Sequence, residues 1–269
     1  MASADIAVIG IAVRFPRAET LADFRSNLRA GLDCVRPMPR RRAEAVGLDP
    51  DLDYGPLGYL ERIDLFDFRS FGLSRREAEL MDPQHRAAVE LSQVAIQDAG
   101  YRPSALREEP TAVVFSAPTT DYANLVAESG TLAMLGSAPC ALPSRVAHLF
   151  GLTGPCYAVD SGCNASLIAV HQACRELRCG DAAFALAGGV SIRSVTLPRQ
   201  AGDAGPGAFR EILSTREQVR AFDADADGTV AGEGGAVLLL TTMERAEADR
   251  APVYAVLGTA VSRRATGPS

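Results

Sequence analysis

The chain has 269 residues, of which 47% are hydrophobic and 22% are charged, and its formal net charge is −6. This composition gives no sign of disorder and predicts one folded domain over residues 1–269. No apolar run reaches the roughly 18 residues that span a bilayer, and no basic leader precedes the first apolar stretch, so we expect no membrane partner and a cytoplasmic location.

The first predicted elements are a strand and two helical segments. The strand, Asp5–Val13, is too uniformly apolar to be half solvated. The first helix begins after Thr20 and ends near Gly31, and a long helical stretch from Ser74 to Gly100 restarts at Pro83. A buried face is predicted along this stretch at Ala87, Val89, Leu91, Val94 and Ile96.

The rest of the chain continues the alternation of strands and helices. Strands are predicted at Thr111–Ala117, Cys156–Asp160, Phe184–Val190, Gly234–Thr242 and Pro252–Ser262. Helices are predicted at Pro143–Gly151, Cys163–Cys179 and Met243–Arg250, with a loop at Pro198–Gly207. This order predicts an α/β protein with a helix-covered, partly parallel sheet.

Three motifs that suggest ligands are interpreted as structural. Arg36–Arg42 lacks interleaved aromatic residues in an acidic chain, which favours a solvated loop over a nucleic-acid site. Asp223–Gly228 resembles a calcium loop, but the twelfth position is Gly234 instead of glutamate, which favours a turn. The glycine pairs of AGGV and GEGGA predict close backbone packing and no nucleotide site.

The cysteines and basic residues limit the available chemistry. All 27 basic residues are arginine, so lysine Schiff-base chemistry is excluded. No cysteine pair or His partner has zinc spacing, so we expect no metal site. We expect most of the six cysteines to be reduced and buried: Cys34, Cys140, Cys156, Cys163, Cys174 and Cys179.

One cysteine stands at a position that favours reactivity. Cys163 follows an apolar strand and the tight turn Asp160–Gly162, and it opens an amphipathic helix. The free N–H groups and the positive dipole end of a helix favour a thiolate. Gly162 permits the strained backbone that a sharp strand-to-helix turn needs. From these residues alone, Cys163 is either a nucleophile or one more small buried hydrophobe.

Five separated motifs decide between these readings. They are DIAVIGIAVRFP, LFDFRSFGLSRREAELMDPQHR, DSGCNASLIAVHQACRELRCGDAAFALAGGVSI, FDADADGTVAGEGGAVLLL and PVYAVLGTAVS. Along essentially its whole length the chain resembles the ketosynthase domains of polyketide synthases, in which the active-site segment usually reads close to DTACSSSLVAVH. The departures are Ser161, Gly162, Asn164 and Ala165, which leave the nucleophile in place.

The resemblance implies a thiolase-like fold, of which this chain is the N-terminal half of a five-layered α-β-α-β-α sandwich. It implies that Cys163 accepts the acyl group and that its backbone N–H is one oxyanion donor. It further implies acyl carrier protein as a partner, no cofactor beyond the carrier's phosphopantetheine arm, and a dimer that pairs strand Cys156–Asp160 with its own copy. The C-terminal half, with two histidines and a Gly-rich loop, lies outside this sequence, so we expect a partner half to supply it.

The chain's own histidines are not expected to replace those two. His171 is eight residues beyond Cys163 on one helix, hence roughly 12 Å away, and His85 and His148 lie on family-like helices without a catalytic precedent. Four readings stay open: half of a split condensing enzyme, a Cys163 acyltransferase or thioesterase-like protein without condensation, a non-catalytic docking or dimerisation scaffold, and a fragment of a longer enzyme.

Overall fold

A computed structural model of the protein describes residues 5–120, 122–126, 130–194 and 212–258. In this part of the chain six strands form one sheet. They are β1 (Ile6–Arg14), β2 (Thr111–Ser116), β3 (Cys156–Ala158), β4 (Phe184–Ser191), β5 (Gly234–Thr242) and β6 (Ala255–Leu257). The predicted loop Pro198–Gly207 and the end of the last predicted strand lie outside the described residues.

The sheet is mixed, as predicted. Its spatial order is β3-β2-β4-β5-β1-β6. Strand β2 runs parallel to β3 and β4, whereas β5 runs antiparallel to β4 and β1. Because β2, β3 and β4 share one direction, their C-terminal ends meet at one end of the sheet, where β5 also begins.

Eight α-helices accompany these strands in the described residues. They are α1 (Leu21–Ala30), α2 (Arg40–Ala45), α3 (Arg75–Leu80), α4 (Pro83–Asp98), α5 (Thr131–Ser137), α6 (Ala141–Phe150), α7 (Ala165–Cys179) and α8 (Met243–Asp249). The longest has 16 residues, and none of the described helices is long and apolar enough to cross a bilayer.

Helices cover both faces of the sheet. One core cluster joins α4 and α6 to the first face and includes Val89, Val146 and Phe115. A second cluster joins α7 to the other face and includes Val114 and Ala173. The side chains of β2 alternate between the two clusters, as strand geometry requires. The result is a three-layered α-β-α arrangement, in which α7 is the helix of the described residues that packs on the second face.

The predicted helix signals are confirmed at their ends. Thr20 and Ser74 each cap a helix reciprocally with an acid three positions on, and Gly31 closes α1 in the left-handed conformation. The long predicted stretch is two helices, because Pro83 opens α4 and Asp82 caps it by accepting a hydrogen bond from the backbone of the second residue.

The predicted buried face of α4 is wrong at one position. Val94 is 49% exposed, whereas the other four predicted residues are buried. Helix α4 lies against β1 through small residues, so closely that a Cβ at Gly10 would lie 2.1 Å from the carbonyl oxygen of Ala95. The buried face is the one that carries Ala88, Ser92 and Ala95, and Val94 lies outside this face, toward solvent.

Two interpretations of charged and sulfur residues are also corrected. The run Arg36–Arg42 is not a solvated loop throughout, because its last three residues begin α2 and Arg42 is only 1% exposed. Most cysteines are not buried: only Cys174 is, and Cys140, Cys163 and Cys179 are exposed. All six are free thiols.

Candidate functional site

Cys163 lies on a tight elbow between β3 and α7. Gly162 has a φ of 61°, a left-handed conformation that a glycine adopts without steric cost, as its position in the sequence predicts. The Asp160 Oδ1 atom accepts a hydrogen bond of 3.3 Å from the Gly162 N–H and so closes the turn. The elbow thus places Cys163 at the end of the sheet where β2, β3 and β4 terminate.

The start of the helix differs from the prediction. Cys163 belongs to a single turn of 3-10 helix, Gly162–Asn164, and α7 begins two residues later at Ala165. The Ala165 N–H donates to the Gly162 carbonyl oxygen, which is the tighter hydrogen bond of a 3-10 turn. Cys163 therefore lies just ahead of α7 and not within its first turn.

Close backbone packing supports the elbow from below. A Cβ at Gly189 of β4 would lie 2.7 Å from the Ser166 Cβ and 2.9 Å from the Ser116 Oγ. Only glycine lets the first turn of α7 approach the ends of β2 and β4 this closely. The prediction that the AGGV glycines serve close packing is confirmed. The contact between Gly189 and Ser166 also sets the distance between the sheet and the start of α7, next to Cys163.

The cysteines occupy different surroundings. Burial raises the pKa of the Cys174 thiol, and it also raises the pKa of Cys156, against the opposing effect of a hydrogen bond to Ser144. Cys163 is exposed, and so is Cys140, which lies immediately before α6. Sequence reasoning missed that Cys140 shares both exposure and a position before a helix with Cys163.

None of the three histidines lies at the N-terminal end of α7. His85 and His148 belong to α4 and α6, on the opposite face of the sheet, and His171 lies two turns along α7. Burial lowers the pKa of His85 to about 3, and the positive charge of Arg145 adds to this effect. The described residues thus place Cys163 without an imidazole beside it.

Arg42 and Glu233 form a buried clamp that sequence reasoning did not find. The Glu233 carboxylate accepts hydrogen bonds from the backbone N–H groups of Arg193, at 3.0 Å, and Leu60, at 2.9 Å. The Arg42 guanidinium donates to the Arg193 carbonyl oxygen at 2.9 Å. The clamp holds the chain where it leaves β4. The sequence signal that could have indicated this clamp is Glu233 itself, an acid between two glycines just before a buried strand.

The described residues contain no group of three His, Cys, Asp or Glu side chains that could hold a metal ion. A surface cleft lies beside α3, with Phe66, Phe68 and Arg86 among its lining residues. None of its lining residues belongs to β3 or α7. The cleft and the elbow are therefore separate features.

Comparison with known proteins assigns this architecture. The family model of the β-ketoacyl synthase N-terminal domain matches residues 3–246. The non-reducing polyketide synthase trt4 of Aspergillus terreus is 37% identical over 268 residues, which are 97% of this chain and 11% of that protein. The polyketide synthase ThaG of Burkholderia thailandensis is 38% identical over 270 residues, covering 96% of this chain and 5% of that protein.

Solved structures give the same result. The module 1 ketosynthase of the bacillaene synthase from Bacillus amyloliquefaciens FZB42 has a TM-score of 0.77 at 32% identity, covering 94% of this chain and 45% of that one. The module 6 ketosynthase from Bacillus subtilis 168 has a TM-score of 0.78 at 30% identity, covering 94% and 42%. The chain thus spans less than half of these structures and about a tenth or less of the curated relatives. With its thiolase-like fold and its match over residues 3–246, the chain belongs to the β-ketoacyl synthase N-terminal domain family, as found in polyketide synthases.

Proposed function

We propose that this chain is the acyl-accepting half of a split β-ketoacyl synthase in polyketide-type biosynthesis. The single observation that carries the proposal is the exposed Cys163 on the glycine elbow between β3 and α7. The six free thiols fit a reducing compartment, and we assign the chain to the cytoplasm on that ground.

The first reaction is a thioester exchange. The Cys163 sulfur attacks the carbonyl carbon of an acyl thioester on the phosphopantetheine arm of acyl carrier protein. The new C–S bond forms as the old one breaks, and the carrier leaves as a free thiol that takes up the proton lost by Cys163. The backbone N–H of Cys163 donates to the carbonyl oxygen as negative charge develops there. This step requires no metal and no cofactor.

The second reaction is the condensation, and we assign it to a partner polypeptide. A malonyl unit loses CO₂, its enolate carbon attacks the acyl group on Cys163, and the cysteine thiolate leaves. Enolate formation calls for imidazoles beside the sulfur. His85, His148 and His171 all lie elsewhere in the described fold. A C-terminal half with two histidines would complete the site, and two such units would dimerise along β3.

Intact-mass spectrometry tests the proposal. The chain and its Cys163→Ala variant are incubated with acyl-loaded carrier protein, with and without a co-expressed C-terminal ketosynthase half and malonyl carrier protein. We expect the mass of the wild type to increase by one acyl group and the mass of Cys163→Ala to stay unchanged. We expect a β-ketoacyl product only when the partner half is present. Product formation by the single chain would overturn the split arrangement.

The remaining outcomes separate the alternatives. Acylation without condensation in the presence of the partner half would identify a Cys163-dependent acyltransferase. A folded wild-type chain that gains no acyl mass would identify a non-catalytic scaffold. Acylation that persists in Cys163→Ala would move the nucleophile to another cysteine.

A further inference from the structure

A closed loop precedes β5 at the same end of the sheet as Cys163. We call residues 214–227 the anchor loop. Its base is tied by backbone hydrogen bonds from Ser214 to Thr229, at 2.8 Å, and from Thr229 to Ile212, at 2.9 Å. The Asp227 carboxylate accepts the Ser214 hydroxyl at 2.7 Å and both the N–H and hydroxyl of Thr215. The base of the anchor loop is therefore fixed.

The tip of the anchor loop carries an aromatic side chain in an unfavourable state. Phe222 is fully exposed, at 108% of its reference area, and its φ is 64°. A left-handed backbone is costly for a bulky side chain, and full solvent exposure gains nothing for a phenyl ring. Val219 in the same loop is 54% exposed. Strain and apolar exposure coincide on a loop with a fixed base, which is how a binding loop presents its contact residue.

The charge of the anchor loop limits what can cover Phe222. Its ionisable residues are two arginines and four acids, hence a net charge of 2 − 4 = −2: Arg216, Arg220, Glu217, Asp223, Asp225 and Asp227. An acidic carrier protein or an anionic membrane would be repelled. A second copy of this chain, as proposed, pairs at β3, which β2 and β4 separate from β5. An apolar pocket with a neutral or cationic rim fits the loop.

The solved ketosynthases contain a polypeptide stretch that could supply such a pocket. They match this chain over 94% of its length, yet only 42–45% of their own chains takes part in the match. More than half of each therefore has no counterpart here, and it belongs to the same solved chain as the matched part.

We propose that Phe222 is the anchor residue by which this chain binds the second half of the ketosynthase fold. The inference rests on the proposed function, which calls for that half. A phenyl ring held out on a loop with a fixed base fills a pocket with little loss of backbone freedom, and large aromatic anchors of this kind dominate the affinity of protein interfaces. The strained backbone at Phe222 then holds the ring in its binding position before the partner arrives.

Two measurements test it. The first is thermal unfolding of the chain alone, as wild type and as Phe222→Gly. Glycine accepts a φ of 64° without strain and the Phe222 side chain is fully exposed, so we expect the midpoint to rise by about 2 °C. A fall in the midpoint would overturn the proposal, because it would mean that residues of this chain already pack on Phe222.

The second measurement is co-purification with a defined probe. The probe is the stretch of the Bacillus amyloliquefaciens module 1 ketosynthase that has no counterpart here, co-expressed with tagged wild type, Phe222→Ala or Leu28→Ala. Leu28, 66% exposed on α1, is the matched control. We expect Phe222→Ala to retain about tenfold less probe than the wild type and Leu28→Ala. Equal retention of the probe by all three proteins would overturn the role of Phe222 but leave the proposed function standing. If the wild type retains no probe, the proposed binding of a partner half is wrong, and this inference fails with it.

Discussion

The Arg42 guanidinium and the Glu233 carboxylate lie 3.3 Å apart, and their side chains are 1% and 0% exposed. The pair joins α2 to the residues just before β5 across 191 positions of sequence. Two nitrogens of the guanidinium, Nε and Nη1, have no hydrogen-bond partner among the residues that the structure describes. The Glu233 carboxylate is therefore the main counter-charge of the buried Arg42 guanidinium. Its removal would also break its hydrogen bonds to the backbone N–H groups of Leu60 and Arg193.

Glu233→Ala should lower the free energy of unfolding by about 3–5 kcal/mol, because it leaves the Arg42 charge buried without its counter-charge. Urea unfolding followed by circular dichroism measures this. Arg40→Ala is the control, since its pairs with Glu44 and Asp51 are exposed and its removal should leave stability nearly unchanged. A loss of less than about 1 kcal/mol for Glu233→Ala would contradict the clamp.

Cys163 should be alkylated faster than Cys179, although both are exposed on the same helical segment. Cys163 precedes α7, where the free N–H groups of the helix start can stabilise the negative charge of the transition state, whereas Cys179 is the last residue of α7, beside its free carbonyl groups. Limiting iodoacetamide followed by peptide mapping gives the order. Buried Cys174 is the internal control and should react last. Faster labelling of Cys179 would remove the electrostatic argument for Cys163.

How much the sequence predicts depends on how local each signal is. The caps at Thr20 and Ser74, the restart at Pro83 and the elbow glycine Gly162 act within four residues, and all four predictions are confirmed. The alternation of strands and helices predicts the helix-covered, partly parallel sheet, but not its spatial strand order. Boundaries were less accurate, because Cys163 lies in a single 3-10 turn ahead of α7 and no residue type marks such a turn.

Features that depend on distant residues could not be predicted. Arg42 was one of several arginines in a charged run, and only the folded chain shows that it meets Glu233. Val94 fits the apolar pattern of α4, but only the folded chain shows that the face packed on β1 is the one with Ala88 and Ala95 and that Val94 lies outside it. The exposure of Cys140 depends on how α6 begins, which sequence does not determine.

Gly189→Ala should disturb the nucleophile without touching it. The added Cβ would lie 2.7 Å from the Ser166 Cβ, so the first turn of α7 must move. We expect a loss of about 1–3 kcal/mol in stability and slower acylation of Cys163. Gly162→Ala is the companion variant: nothing lies within 4 Å of its Cβ, so only its φ of 61° opposes the change, at about 1 kcal/mol. Unaltered stability and acylation in Gly189→Ala would show that the contact does not position Cys163.

His85 should make the fold sensitive to acid. Its pKa is about 3 in the folded chain, mainly because of burial, against an ordinary value of 6.5. Between pH 6.5 and pH 3 the unfolded chain binds a proton at His85 and the folded chain does not. The contribution of His85 to the free energy of unfolding is therefore fully present above pH 6.5, and it falls by up to about 1.4 kcal/mol per pH unit as the pH is lowered toward 3. Urea unfolding of wild type and His85→Gln at pH 7 and pH 5 gives the difference. Parallel losses in both proteins would place the acid sensitivity at groups other than His85.

Strand β3 is the edge strand of the sheet in the described part of the chain, and the groups on its outer side can be identified. The Pro155 carbonyl oxygen accepts from Val113, and the Val159 N–H donates to Phe115, so residues 155, 157 and 159 face β2. In a parallel ladder the alternate residues, Cys156 and Ala158, then direct their N–H and C=O groups away from the sheet. An unpaired edge of this kind can pair with another strand.

Ala158→Pro should therefore separate a dimer without breaking the sheet. Proline removes the outward N–H of Ala158 and leaves the bonds of Pro155 and Val159 to β2 in place. We expect the wild type to be a dimer at micromolar concentration in light scattering, and Ala158→Pro to be a monomer with an unchanged circular dichroism spectrum. Ala158→Ser keeps the N–H and should remain dimeric, which separates the backbone bond from the side chain. If the wild type is monomeric, or if the proline variant stays dimeric while folded, the two copies do not pair along β3.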